Sequence, residues 1–352
     1  MIDLITTTIP PLDETAMRAA RERLDQLTKP VGSLGRLESL AIKLAGITGK
    51  PHPTFPSKAV IVMVGDHGVT AEGVSAYPQE VTPQMVLNFL SGGAAINVLA
   101  RRSGARVVVA DLGVAVQLPE HPDLIQRKIR LGTRNMALGP AMEREETLAA
   151  IATGADILAG EVDRGLDLVG TGDMGIGNTT PSSAIVAVIT GQPVANVTGR
   201  GTGLDDAGWQ RKVQVIERAL AVNRPDPTDP LDVLTKVGGY EIAGLVGVIL
   251  EAARRRVPVI IDGFISGAAA LIATELQPGA RDYLIAAHNS VEIGHRVMLE
   301  RMELTPLLNL DLRLGEGTGA AIAMHLVDDA MAIVNEMATF ADAGVSGPSE
   351  RA

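Results

Sequence analysis

The 352-residue chain contains no cysteine, and aromatic residues make up only 2% of it. The absence of cysteine excludes disulfides, thiolate nucleophiles and zinc–thiolate sites. A net charge of −10 with so few aromatic rings also argues against nucleic acid as a partner, because nucleic-acid binding needs a basic surface and rings that stack on bases. The composition therefore favours an enzyme that acts on small molecules.

Long hydrophobic runs are also missing, although 46% of the residues are hydrophobic. The two longest apolar stretches, residues 243–250 and 257–273, are too short or are interrupted by Asp262, so we expect no membrane span. The first residues lack the basic start of a signal peptide. We therefore expect a globular cytoplasmic enzyme with a large core.

Short runs rich in β-branched residues alternate with longer helical patterns along most of the chain. This alternation predicts an α/β fold with a parallel, Rossmann-like sheet and helices on both faces. Each predicted strand ends in a cluster of glycine and polar residues, and such sheets bind ligands at the carboxyl ends of their strands. We therefore expect the active site at that edge. The predicted strands are residues 59–64, 106–110, 166–169, 194–197, 257–261 and 283–287.

The two ends of the chain have a purely helical character. An amphipathic pattern begins after Asp13, a candidate N-cap, and further helical stripes lie before residue 50 and after residue 320. We expect a small helical domain built from both termini, residues 1–52 and 318–352. The remaining residues, 53–317, are expected to form the large α/β catalytic domain.

The most informative segment is residues 170–181, with the sequence GTGDMGIGNTTP. Gly170, Gly172 and Gly175 form the pattern G-x-G-x-x-G, which follows a predicted strand and precedes a predicted helix. Glycine has no Cβ to hold a ligand away, so the backbone N–H groups of such a loop can approach a phosphate closely. The segment therefore predicts a phosphate-binding loop.

The residues after these glycines indicate the kind of phosphate. A dinucleotide site needs an acidic residue about 20 residues further on, yet no carboxylate occurs between Asp173 and Asp205. Asn178, Thr179 and Thr180 instead supply an amide and two hydroxyls at a helix start, where donors and dipole favour an anion. The pattern favours a mononucleotide phosphate, and simple helix capping is the competing interpretation.

Glu316 is the main candidate for proton transfer. It lies between two glycines just before an apolar helical run, so a substrate can come close to its carboxylate. An apolar environment makes a carboxylate a better proton acceptor near neutral pH, but a glutamate that only complements the helix dipole is an equally good interpretation. Asp66 and His67 lack the spacing of a metal site, which favours a structural, hydrogen-bonded histidine.

Seven segments that span nearly the whole chain carry a further signal. They are residues 28–38 (TKPVGSLGRLE), 65–69 (GDHGV), 72–82 (EGVSAYPQEVT), 170–181, 236–239 (KVGG), 261–266 (IDGFIS) and 313–320 (RLGEGTGA). Together, and in this order, they resemble the nicotinate-nucleotide–dimethylbenzimidazole phosphoribosyltransferase family. The resemblance implies that the chain uses nicotinate mononucleotide and 5,6-dimethylbenzimidazole to make α-ribazole 5′-phosphate, for the lower ligand of cobalamin. It also implies a homodimer in which the small domain covers the neighbouring active site, and a reaction that requires no metal or redox cofactor.

The resemblance also implies roles for individual residues. Glu316 corresponds to the general base. Asp173 stands where the family often has glutamate, which leaves open whether it assists the base or contacts the ribose. The residues expected around the phosphate and ribose are Gly175, Asn178, Thr179, Thr180, Gly201, Lys212, Asp262 and Ser290. Those expected around the benzimidazole are Tyr77, Met85, Met174 and Leu314.

Two other functions compete with this one. An NAD-dependent oxidoreductase would explain the glycine pattern, but the acidic residue that binds the ribose of a dinucleotide is missing. A non-catalytic nucleotide-binding protein of the same fold would explain the binding loop, but it gives no reason for Glu316 between two glycines. The sequence does not decide which flat base is preferred, because purines and phenols suit the same kind of apolar slot.

Overall fold

The computed structural model describes residues 5–201 and 203–346, and its centre is a six-stranded sheet. The strands are β1 Lys58–Gly65, β2 Ala105–Gly113, β3 Leu124–Gln126, β4 Leu168–Met174, β5 Val259–Ile261 and β6 Leu284–Ala286. Their order in the sheet is β3-β2-β1-β4-β5-β6, and every neighbouring pair is parallel. This confirms the predicted α/β fold with a parallel, Rossmann-like sheet.

Helices connect the strands and cover the sheet. They are α1 Glu14–Gln26, α2 Arg36–Thr48, α3 Val81–Leu90, α4 Ala95–Ser103, α5 Arg144–Asp163, α6 Thr179–Thr190, α7 Val194–Val197, α8 Asp206–Asn223, α9 Pro230–Val237, α10 Tyr240–Arg254, α11 Phe264–Leu276, α12 Ile293–Arg301, α13 Thr318–Glu336 and α14 Phe340–Ala343. Short 3-10 helices occur at Gly68–Glu72 and Pro278–Tyr283. None of the described helices is both long and apolar enough to cross a membrane.

Both faces of the sheet are buried, because each is covered by helices. All eight residues of β1 are buried, as is typical of a central parallel strand. Its side chains alternate between two apolar cores: Ala59, Ile61 and Met63 belong to the core with α10 and α11, whereas Val60 and Val62 belong to the core with α4 and α13. The apolar run of this strand is continuous because its side chains pack into the apolar cores on both faces of the sheet.

Five of the six predicted strands lie in the sheet, and one prediction is wrong. Val194–Val197 forms the helical turn α7 after Pro193. Its β-branched residues suggested a strand, but the segment packs against α6, α8 and α12, and this context overrides the weak local preference. Strand β3 was not predicted, because its three residues are too few to show a pattern and pair only with β2.

The glycine-rich segment is not a single loop, which corrects the prediction for residues 170–181. Strand β4 runs to Met174, so Gly170 and Gly172 lie inside the sheet. A Cβ on Gly172 would lie 2.4 Å from the carbonyl oxygen of Glu316, and one on Gly170 would press on side chains of α13. These two glycines therefore let the start of α13 approach the sheet, and only the residues after β4 form a loop.

The helices from the two chain ends lie together. Arg23 of α1 donates hydrogen bonds to the carbonyl oxygens of Val334 (3.3 Å) and Met337 (2.7 Å) at the end of α13. Helix α13 also packs against β4, so it connects the terminal helices to the sheet. The boundaries of the predicted small domain stay a prediction, and its residues 1–4 and 347–352 lie outside the described residues.

Candidate active site

A cleft with a volume of about 300 Å³ opens at the carboxyl ends of β4, β5 and β6. This is the edge at which open parallel sheets bind their ligands. The predicted site residues that line it are Tyr77, Met85, Asp173, Met174, Gly175, Asn178, Thr179, Gly201, Ser290, Leu314 and Glu316. The other three, Thr180, Lys212 and Asp262, are buried behind its wall.

Glu316 lies in the wall of the cleft just before α13, and 6% of its surface is exposed. Its Oε2 atom accepts a hydrogen bond from the backbone N–H of Ile96 at 3.2 Å. Burial raises the pKa of this carboxyl, although the bond from Ile96 acts in the opposite direction. A carboxylate with a raised pKa beside an open space has the properties of a general base.

Asp173 lines the same cleft at the end of β4. Its Oδ2 atom accepts a hydrogen bond from Nδ2 of Asn178 at 2.9 Å. Burial holds its pKa well above the usual range, and the charges of Asp262 and Glu241 act in the same direction. A raised pKa means that Asp173 ionises less readily than a carboxyl in water, because burial and the neighbouring carboxylates disfavour its charged form.

The start of α6 differs from the predicted Asn-Thr-Thr cap. Asn178 occupies the N-cap position, but its side chain makes no capping hydrogen bond and donates to Asp173 instead. Thr180 is fully buried and does not line the cleft, whereas Thr179 does. Of the two threonines at this helix start, Thr179 is therefore the one that lines the cleft, and its contact with a phosphate stays a prediction.

Lys212 reaches the start of α6 from behind the wall. It is fully buried in α8, and its Nζ donates a hydrogen bond to Oγ1 of Thr179 at 2.7 Å. Burial lowers its pKa to about 8, against the effect of the charge on Glu292. A Cβ on Gly201 would lie 3.0 Å from Oγ1 of Thr179, so this loop covers the pair closely. The pair places a positive charge and a hydroxyl at a helix N-terminus, where an anion is favoured.

Asp262 does not reach the cleft, in contrast to its predicted place beside the phosphate and ribose. It is 1% exposed, and its carboxylate accepts three backbone N–H groups, from Gly317 (3.1 Å), Gly319 (2.6 Å) and Ala320 (3.1 Å). Burial raises its pKa to about 7, against the effect of these hydrogen bonds. The polar cluster after β5 suggested a contact with a ligand, but the carboxylate of Asp262 instead accepts hydrogen bonds from free backbone N–H groups at the start of α13.

The four residues predicted around the flat base all line the cleft. Met85 and Met174 are partly buried and pack against the core. Tyr77 and Leu314 are 54% and 58% exposed. Large apolar side chains exposed beside a cleft are typical of a surface that another molecule covers. Their contact with a base stays a prediction.

Two buried residues of the wall, His288 and Glu292, were not predicted from the sequence. Burial lowers the pKa of His288, so its neutral form is favoured. Oε2 of Glu292 is buried and has no hydrogen-bond partner within residues 5–201 and 203–346. Both residues follow β6, and this position after a strand is the signal that could have identified them.

His67 and Asp66 are buried but do not line the cleft. Nε2 of His67 forms a hydrogen bond with Oε1 of Glu241 at 2.7 Å, and a Cβ on Gly175 would lie 3.4 Å from the same nitrogen. Burial alone would lower the pKa of His67, but the charge and hydrogen bond of Glu241 raise it. His67 therefore lies beside the loop after β4 and is paired with Glu241. In the described part of the chain, no group of three histidine or acidic side chains could hold a metal ion.

Comparison with known proteins identifies the family. The family model for a phosphoribosyltransferase matches residues 9–345. A nicotinate-nucleotide–dimethylbenzimidazole phosphoribosyltransferase from Roseiflexus sp. (strain RS-1) is 61% identical over 342 residues, which cover 97% of each chain. The protein of the same name from Chloroflexus aggregans is 60% identical over 352 residues, covering 99% of this chain and 100% of its own.

Solved structures agree with these sequences. The crystal structure of CobT from Thermus thermophilus superposes with a TM-score of 0.91 at 49% identity, covering 95% of this chain and 100% of that chain. The motifs found in the sequence, the architecture of the sheet and the full-length relatives therefore agree. This chain belongs to the phosphoribosyltransferase family of the nicotinate-nucleotide–dimethylbenzimidazole enzymes.

Proposed function

We propose that this chain transfers the phosphoribosyl group of nicotinate mononucleotide to 5,6-dimethylbenzimidazole, with α-ribazole 5′-phosphate and nicotinate as products. The observation that carries the proposal is the pairing of two features in one cleft. Glu316 is a buried carboxylate of raised pKa, and the Thr179–Lys212 pair marks an anion site at a helix start. The names of the relatives supply the two substrates.

One carboxylate is sufficient for this chemistry. The bond between C1′ and the pyridinium nitrogen breaks, and its electron pair stays with the nitrogen, so nicotinate leaves without a general acid. One nitrogen of the benzimidazole forms the new bond to C1′, while the other nitrogen loses its proton to Glu316. Attack from the face opposite the leaving group converts the β-ribosyl carbon to the α configuration.

The remaining residues of the cleft hold the two substrates in place. The phosphate binds at Thr179, with Lys212 as the positive charge behind it. Asp173 forms a hydrogen bond with the ribose, and Ser290 lies in the same wall. The benzimidazole binds against the apolar side chains in the rest of the wall, which are Tyr77, Met85, Met174 and Leu314. Such positioning of two reactants is a large part of catalysis in a transfer reaction.

The glycine pattern that favoured an NAD-dependent oxidoreductase does not form a dinucleotide-binding loop. Gly170 and Gly172, which suggested a dinucleotide loop, lie inside β4 and make room for α13. In dinucleotide-binding folds the glycine pattern forms the turn between a strand and its helix. Among the described residues of the cleft, nothing else favours a dinucleotide over a mononucleotide.

We also propose that the enzyme acts as a homodimer in the cytoplasm, with the helices of the chain termini over the neighbouring cleft. The exposed Tyr77 and Leu314 beside the cleft support a second copy as the covering surface. The division into domains at residues 53 and 317 belongs to the same proposal. Limited proteolysis would test the domain boundaries, and cell fractionation would test the location.

A direct assay tests the proposed reaction. The full chain is incubated with nicotinate mononucleotide and 5,6-dimethylbenzimidazole, and both products are measured by liquid chromatography with mass spectrometry. We expect α-ribazole 5′-phosphate and nicotinate in equal amounts. No product from the folded chain would contradict the proposal. Reduction of NAD measured with 2-hydroxy acids and alcohols, in the absence of that product, would favour the oxidoreductase.

A further inference from the structure

The backbone of Glu316 has an unusual conformation. Its φ angle is +63°, and its two neighbours Gly315 and Gly317 have φ angles of +83° and +94°. Glycine adopts such left-handed angles freely, but a residue with a Cβ does so only where the surrounding structure holds it. The conformation of Glu316 therefore depends on contacts outside its own loop.

Those contacts hold both sides of one peptide group, the one between Glu316 and Gly317. Its N–H, which belongs to Gly317, donates a hydrogen bond to Oδ2 of Asp262 at 3.1 Å. Its carbonyl oxygen lies so close to β4 that a Cβ on Gly172 would approach it to 2.4 Å. The peptide group is thus held between the strand on one side and a buried carboxylate on the other.

The side chain of Glu316 is held much less firmly. Within residues 5–201 and 203–346, the one hydrogen bond found for its carboxylate is the bond from Ile96 to Oε2. No hydrogen bond to the other oxygen, Oε1, is found among these residues. The direction of the carboxylate into the cleft therefore depends mainly on the backbone from which the side chain starts.

We propose that Asp262 is a positioning residue for the reaction: it holds the peptide group after Glu316 and thereby directs the Glu316 carboxylate at the substrate. This inference rests on the proposed function. Asp262 is 1% exposed and does not line the cleft, so it does not contact substrate. Its Oδ1 atom binds the next two N–H groups of α13, those of Gly319 and Ala320, so the same carboxylate also fixes the helix that follows the base.

The test is the variant Asp262→Asn, which has the same shape as the native side chain. Its single amide oxygen can still accept the two N–H groups bound by Oδ1, whereas its NH2 group faces the N–H of Gly317 and cannot accept it. We expect kcat to fall by about 10–100-fold, because small displacements of a catalytic group have effects of this size. KM for both substrates is expected to change by less than about twofold, because substrate contacts are retained.

The matched control is Asp229→Asn. Asp229 caps α9 in a similar way, since its Oδ1 accepts the backbone N–H groups of Leu231 and Asp232 at 3.1 Å each, and it does not line the cleft. We expect this variant to lose a little thermal stability and to keep the wild-type kcat. If Asp262→Asn does not fold, Asp262→Ser, which keeps one small acceptor, is measured in its place with the same expectation.

A double-mutant cycle separates positioning from general loss of structure. If Asp262 acts through Glu316, then Asp262→Asn combined with Glu316→Gln should be no slower than Glu316→Gln alone. A folded Asp262 variant with kcat within about twofold of wild type, or losses that multiply in the double variant, would overturn the inference. Because wild-type turnover is measured first, failure of this inference is distinguishable from failure of the proposed reaction.

Discussion

At the residue scale, the proposed reaction depends on the ionisation of Glu316. The variant Glu316→Gln keeps the size of the side chain and can still accept the hydrogen bond from Ile96. We expect kcat to fall by about 10²–10⁴-fold, the usual contribution of a general base, while the melting temperature stays close to wild type. Glu145→Gln, at an exposed position on α5, is the control. Near-normal turnover by Glu316→Gln would remove this residue from the role of base.

The lowered pKa of Lys212 predicts that substrate binding depends on pH. Burial lowers its pKa to about 8, so its positive charge is lost as the pH rises through that value. The phosphate of the substrate already carries its second negative charge at pH 7, since its second pKa is about 6. We therefore expect KM for nicotinate mononucleotide to rise above pH 8 in the wild-type enzyme.

The variant Lys212→Gln tests whether this lysine causes that rise. Loss of the positive charge behind Thr179 should raise KM at pH 7 by about 10–100-fold, as for other interactions with a charged group of about 1.5–3 kcal/mol, and the dependence of KM on pH near 8 should disappear. Lys50→Gln, at an exposed position after α2, controls for the loss of one positive charge. An unchanged KM in Lys212→Gln would exclude this lysine from phosphate binding.

At the scale of elements, the contact between β4 and the start of α13 connects the fold to the site. Gly172→Ala would place a Cβ 2.4 Å from the carbonyl oxygen of Glu316, so strand and loop must move apart. We expect a loss of about 1–3 kcal/mol in the free energy of unfolding, as for other overpacked positions, together with reduced kcat. Chemical denaturation and initial-rate kinetics measure the two effects.

The control for this prediction is Gly160→Ala in α5. A Cβ at Gly160 meets nothing within 4 Å, and alanine is favoured over glycine inside a helix by about 0.5–1 kcal/mol. We expect this variant to be more stable than wild type and equally active. Equal stability of Gly172→Ala and wild type would contradict the close approach of α13 to the sheet.

At the scale of the whole molecule, the proposed homodimer predicts the mass of the particle. Light scattering during gel filtration should give twice the chain mass of 36.7 kDa. If the terminal helices of one copy complete the cleft of the other, the activity per chain should fall on dilution as the dimer dissociates. A monomer with full activity at all concentrations would contradict the proposal.

The site residues that could be predicted from the sequence have a local pattern, whereas those that could not depend on contacts between distant parts of the chain. Thr179 was found because polar residues at a helix start after a strand lie at the ligand edge of a parallel sheet, whereas Ser290 was expected from the resemblance to the family. Asp262 has the same kind of position, but its carboxylate turns away to the backbone of α13. The three N–H groups that it binds lie 55–58 residues further along the chain, so no local sequence pattern shows these hydrogen bonds.

The sequence by itself determined the class of fold, the family and the main candidate residues. Alternating strand and helix patterns predict a parallel sheet, and residue types that carry chemistry can be recognised wherever they occur. Only the tertiary structure decided which of these side chains face the cleft, that two of the glycines serve the packing of α13, and that Asp262 binds the backbone beside Glu316. The physical reason is that a side chain's direction and partners depend on elements brought together by folding, whereas a sequence pattern reports only its neighbours along the chain.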